Sequence, residues 1–166
     1  VMVGVRSLIW QSGGDDDFKI FTVAELIESL QTVSFERFKN HGIDFKIDVI
    51  FGEMLSDVKI SGRMADLTKL FVHIFSEMHD IVIQRPNSWI KLEVMPFPKQ
   101  IQFKIVASRW IEELSTESEE EFIVQLGKKP NMVSAAGIAK VHEGTLDINS
   151  ESRHLRVTII LPRAWS

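Results

Sequence analysis

Leu67-Thr68-Lys69-Leu70-Phe71-Val72-His73-Ile74-Phe75-Ser76-Glu77-Met78-His79-Asp80-Ile81-Val82-Ile83 is the stretch on which the fold turns. Its apolar residues are Leu67, Leu70, Phe71, Ile74, Phe75, Met78 and Ile81 or Val82. They recur at the 3.6-residue period of a helix that lays one stripe on a core. Off the stripe stand His73, Glu77, His79 and Asp80. These four form either a solvated rim or the wall of a pocket. His73 and Glu77, four residues apart, read most simply as a hydrogen-bonded pair or as part of that rim.

Before this helix, Thr22-Val23-Ala24-Glu25 is a capping box that starts an earlier helix. That helix turns Val23, Leu26, Ile27, Leu30, Val33 or Ser34, and Phe38 inward, and ends at His41-Gly42. Ile43 to Val49 alternates as a half-buried strand does, and Val58-Lys59-Ile60 is a short second strand. Further upstream, Val1, Val5, Leu8 and Ile9 suit the tail of a helix that began earlier, and Ser12 to Asp17 reads as a solvated acidic loop. The expected division is residues 1–17 as helix end and acidic linker, then 18–166 as one domain.

After the central helix, Pro86-Asn87-Ser88 is a stop. Trp89 to Val94 and Ile101 to Ala107 alternate as a hairpin around a loop from Met95 to Gln100. Ser108 to Lys129 contains Glu112, Glu113, Glu117, Glu119, Glu120 and Glu121, and its assignment is open: part helical, with Phe122 to Leu126 extended. Asn131 to His142 reads as a helix, with His142 a structural residue at its end, where a cation is favoured. Thr145 to Asn149 and Leu155 to Leu161 form a last hairpin. One-sided strands need helices over the buried face. The expectation is an α/β (α+β) two-layer sandwich: a mostly antiparallel mixed sheet of about five strands under about three helices.

Composition narrows the function. A net charge of −4 argues against nonspecific nucleic-acid binding, which needs a basic field. The absence of cysteine excludes disulfides and thiolate metal sites. No apolar run approaches the length of a membrane span. The apolar opening residues suggest an excised domain.

Several phrases resemble the catalytic domain of sensor histidine kinases, within the larger ATPase family of gyrase, Hsp90, histidine kinases and MutL. His142-Glu143-Gly144-Thr145-Leu146-Asp147-Ile148-Asn149-Ser150 resembles that family's HGG-T-I-x-V-x-S. Leu155 to Pro162 resembles its TFTITLP strand, and Ile60-Ser61-Gly62-Arg63 its approach to the central helix. The resemblance runs from about Phe18 to Pro162 and implies the Bergerat-type sandwich.

The same resemblance places a nucleotide pocket, and the chain departs from the family at each of its motifs. Where the family's N-x-x-x-N-A box holds magnesium, this chain has His73 and Glu77. The spacing survives but the amide oxygens are gone; Glu77 could hold a hard cation, whereas histidine suits magnesium poorly. Where D-x-G-x-G meets adenine stand Ala107, Ser108, Arg109 and Trp110, with Trp110 a candidate plug. Where a glycine-rich turn cradles phosphate stand Lys129, Pro130, Asn131 and Met132. The proline removes an amide donor there. Each lost polar contact costs about 1–3 kcal/mol, and a micromolar site is worth only about 8 kcal/mol in all. The resemblance therefore implies a cytoplasmic two-component signalling domain without cofactor, ATP and magnesium being the family's ligands. It would act as a scaffold that docks a response regulator or another signalling protein, as histidine phosphotransferases do, and pair as a homodimer through upstream helices. The alternatives are a divergent active kinase and a ligand-sensing module that reuses the pocket. No catalytic residue and no metal site are expected.

Overall fold

In the computed structural model, residues 17–50, 54–83, 85–108, 116–152 and 154–164 are described. The elements run β1 (Lys19–Thr22), α1 (Val23–Asn40), β2 (Asp44–Val49), β3 (Lys59–Gly62), α2 (Met64–Val82), β4 (Trp89–Pro96) and β5 (Gln100–Ala107), followed by α3 (Thr116–Gly127), α4 (Pro130–Val141), β6 (Thr145–Glu151) and β7 (His154–Pro162). Five strands form one mixed sheet in the order β2-β4-β5-β7-β6. Its β2–β4 pair is parallel and its other pairs are antiparallel. β1 and β3 make a separate antiparallel pair. The expected sandwich is present.

Helix boundaries follow local chemistry. The Glu25 N–H donates to Thr22 Oγ1 at 3.1 Å and the Thr22 N–H to Glu25 Oε1 at 3.3 Å, closing the capping box of α1. At the other end Gly42 takes φ +73°, a conformation that costs a side chain more than it costs glycine. α2 buries Leu67, Leu70, Phe71, Ile74, Phe75, Met78 and Val82, so its stripe reads as the period required. Three aromatic contacts carry the helices onto the sheet. Phe71 meets Phe103 of β5 edge to face at 5.1 Å, Phe75 meets Phe45 of β2 at 5.3 Å, and Phe38 of α1 meets Phe45 at 5.2 Å.

The sheet has the five strands expected, and α3, in the segment whose assignment the sequence leaves open, is a fourth helix among the described residues. One strand is additional: β1, which pairs with β3 some forty residues away and which no local period announces. Two expectations need correction. Phe122 to Leu126 is helical, not extended: Leu126 is buried and Phe122 and Ile123 pack beside it, a spacing of one helical turn. The β4–β5 connection is shorter than expected. β4 runs through Pro96, which pairs with Ile101 at the strand's last position, where a missing N–H is tolerated. The expected helix in residues 1–10 and the loop before Asp17 lie outside the described residues.

The β7 strand fixes the close of α4. A Cβ on Gly144 would fall 2.3 Å from the Ile160 carbonyl oxygen, so only glycine lets this chain turn onto the sheet.

Candidate functional site

α2 divides its polar residues between two neighbours. Glu77, 9% exposed, faces the start of α4. Its Oε2 accepts a hydrogen bond from Asn131 Nδ2 at 2.7 Å, and its Oε1 lies 3.9 Å from Lys129 Nζ. Glu77 thus bonds across to α4 and not to His73, which corrects the pair expected within the helix. Lys129 is the N-cap of α4 but makes no side-chain cap bond. A helix N-terminus attracts an anion, and Glu77 supplies one from within the protein.

The remaining expected pocket residues separate into three groups. His73 is half-buried, and its buried Nε2 has no hydrogen-bond partner among the described residues. Ala107 is fully buried in β5 opposite Ile90, and Met132 is buried in the same core. Ser108 is also buried and extends the β4–β5 ladder. Its N–H donates to the Trp89 carbonyl at 2.9 Å, and its Oγ accepts from the Trp89 N–H at 3.2 Å. Arg109 and Trp110 lie outside the described residues. The structure therefore joins Glu77, Lys129 and Asn131 into one cluster, with His73 near it on the same helix, its Nε2 without a partner among the described residues. Among the described residues no group of three metal-ligating side chains forms a cation site.

Two polar clusters were not assembled from the sequence. His79, 6% exposed, sits about 200° around the helix from Glu77 and meets the end of α1 instead. Its Nε2 lies 2.6 Å from His41 Nδ1 and its Nδ1 lies 3.0 Å from Asp80 Oδ1. The only sequence signal was His41 standing at a helix end. His142, 3% exposed, bridges α4 to the start of α2. Its Nδ1 donates to the Ile138 carbonyl at 2.8 Å, its Nε2 accepts from the Arg63 N–H at 3.1 Å, and its ring stacks on Phe18 at 4.9 Å. It is structural, as expected, but it acts through one donor and one acceptor and not as a cation at a helix end.

The same layering of sheet and helices occurs in solved structures. A nucleotide-free crystal form of the catalytic domain of histidine kinase ThkA superposes with a TM-score of 0.70 at 13% identity, over 89% of this chain and 96% of that one. The fold is that of a histidine kinase catalytic domain. ThkA in complex with the response regulator protein TrrA matches at TM-score 0.67 and 12% identity, over 89% of this chain and 42% of that one. Full-length ShkA in complex with AMPPNP matches at 0.68 and 10%, over 90% and 32%. No family model and no curated protein matches the sequence. Among the described residues no helix is long and apolar enough to cross a membrane.

Proposed function

We propose that this histidine-kinase-fold domain no longer binds ATP and serves as a docking module in cytoplasmic two-component signalling. The observation that carries the reading is the Glu77 clasp. The carboxylate stands where the fold's kinases are expected to hold magnesium, and it is engaged by Asn131 at 2.7 Å. Asn131 and Lys129 are themselves at the expected phosphate-cradling turn. Phosphate entering there would meet a carboxylate rather than free amides, a like-charge contact in a partly desolvated cleft. Ala107 adds to this, because a methyl group in the core offers adenine no acceptor. These residues do not suit Mg-ATP. The docking partner in this reading is a response regulator, the class of protein seen with ThkA.

Calorimetric titration with Mg-ATP tests the proposal. The expected outcome is no saturable binding, and a Kd below about 100 μM, worth roughly 5–6 kcal/mol, overturns it in favour of a divergent kinase. A second reading, a ligand-sensing module in the former pocket, rests on the buried unpartnered Nε2 of His73. Thermal-shift screening with small polar compounds tests it: a stabilising compound whose effect disappears in His73→Phe supports that reading, and none doing so removes it.

A further inference from the structure

We propose that the free edge of β2 pairs with β2 of a second copy of this chain, in one antiparallel register centred on Ile47. β2 is the outermost strand of the five-stranded sheet. The Asp44 N–H donates to the Ser88 carbonyl at 3.0 Å and the Ile50 N–H to the Val94 carbonyl at 2.9 Å. Backbone direction alternates along a strand, so the even-numbered residues between them also point into the sheet. Phe45, Ile47 and Val49 therefore direct their N–H and C=O groups outward, and among the described residues nothing accepts or donates to them. Such an edge is a template for another strand.

The side chains choose the strand. Within the molecule the parallel register sets Lys46 beside Lys91 and Asp48 beside Glu93, like beside like. Lys46 has Asp44 at 3.7 Å, both side chains well exposed, and Asp48 has no ion-pair partner among the described residues. An antiparallel copy reverses the order of charge. Centred on Ile47, it places Lys46 against Asp48 of the second copy and Asp48 against its Lys46. Ile47 then faces Ile47, and Phe45 faces Val49. The pairs 45:49, 47:47 and 49:45 all join outward-pointing residues, so the register that matches charge also closes the backbone bonds. Shifting the centre to Lys46 would instead set lysine on lysine and Asp44 on Asp48. Charged edges usually deter pairing; this one is self-complementary.

The apolar side agrees. Val49 is 45% exposed and Phe35 of α1 is 46% exposed. A hollow of about 360 Å³ at the start of β2 is lined by Phe35, Lys39, Ile43 and Phe45, among others. In the proposed register Val49 of the second copy arrives opposite Phe45, beside that hollow. The contact is small, so the dimer is reversible.

Sedimentation velocity on the 166-residue chain tests this over about 10 to 500 μM, since so small an interface associates weakly. The wild-type chain should self-associate. Lys46→Asp and Asp48→Lys each create two like-charge contacts per dimer and should weaken association about tenfold or more. The double variant Lys46→Asp/Asp48→Lys restores opposite charges and should restore the dimer. Both positions are exposed, and unchanged circular-dichroism melts verify folding. In the dimer, amide exchange should slow at Phe45, Ile47 and Val49. A wild-type monomer throughout, a dimer indifferent to either single change, or a double variant that stays monomeric would each overturn the proposal.

Discussion

On the face of α2 that meets the sheet, Phe71 packs on Phe103, Phe75 packs on Phe45, and Leu70 and Ile74 are fully buried between them. On the face that meets α4, Glu77 is held by one amide and approached by one ammonium, and His73 offers a nitrogen that no described residue uses. The first face needs only apolar side chains of about the right volume, and many sequences meet that condition. This explains how 13% identity can accompany a TM-score of 0.70. The second face depends on a few polar atoms in fixed places. Changing two or three of them leaves the helices where they were and alters what the cleft does. Here Glu77, Asn131 and Lys129 engage one another.

The largest expected effect comes from a polar acceptor at position 107. Ala107→Asp places a carboxylate at a fully buried core position facing Ile90 in the register. An unpaired buried charge should lower stability by about 3–5 kcal/mol in urea denaturation. A folded Ala107→Asp protein of near wild-type stability that gains saturable adenine-nucleotide binding would show that this position belongs to the cleft and not to the core.

Glu77→Ala acts on the face of α2 that meets α4. It strands the Asn131 amide and removes a nearly buried carboxylate, and should cost about 1–3 kcal/mol. Asn131→Ala should cost less, because the carboxylate keeps Lys129 nearby. In a double-mutant cycle the pair should show a coupling of about 1 kcal/mol or more. Additive losses would mean that the 2.7 Å contact contributes no net stability, and the clasp would lose its place in the functional reading.

The same contrast separates what the sequence disclosed from what it hid. The stripe on α2, the capping box of α1 and the alternation in β4, β5 and β7 were readable because each repeats a local period. β1 was not, since four residues whose partner is β3 carry no period of their own. At the site, the positions of His73, Glu77, Lys129 and Asn131 could be named one by one. Their bonding could not, because Asn131 lies 54 residues beyond Glu77 and only the packing of α4 on α2 brings the two together. The His41–His79 contact was hidden for the same reason, across 38 residues. Periodicity shows which face is buried, but it does not say which polar atom on a neighbouring helix will be there to meet it.

Lys129→Ala carries the smallest expected effect and decides what kind of bond the clasp is. The Lys129 side chain is 57% exposed and its ammonium lies 3.9 Å from the carboxylate, the geometry of a solvent-screened pair. Such pairs contribute about 0–1 kcal/mol. The lysine also sits at the positive end of α4, where a cation is disfavoured by a few tenths of a kcal/mol, so the two effects largely cancel. The loss should therefore stay below about 0.5 kcal/mol and shrink further in 1 M salt. By contrast, the Glu77–Asn131 coupling should barely change with salt, because that contact is short and sheltered. If Lys129→Ala instead cost more than about 1 kcal/mol and the loss vanished with salt, the clasp would be held by charge. Phosphate could then compete for the same ammonium, and the cleft would be open to anions after all.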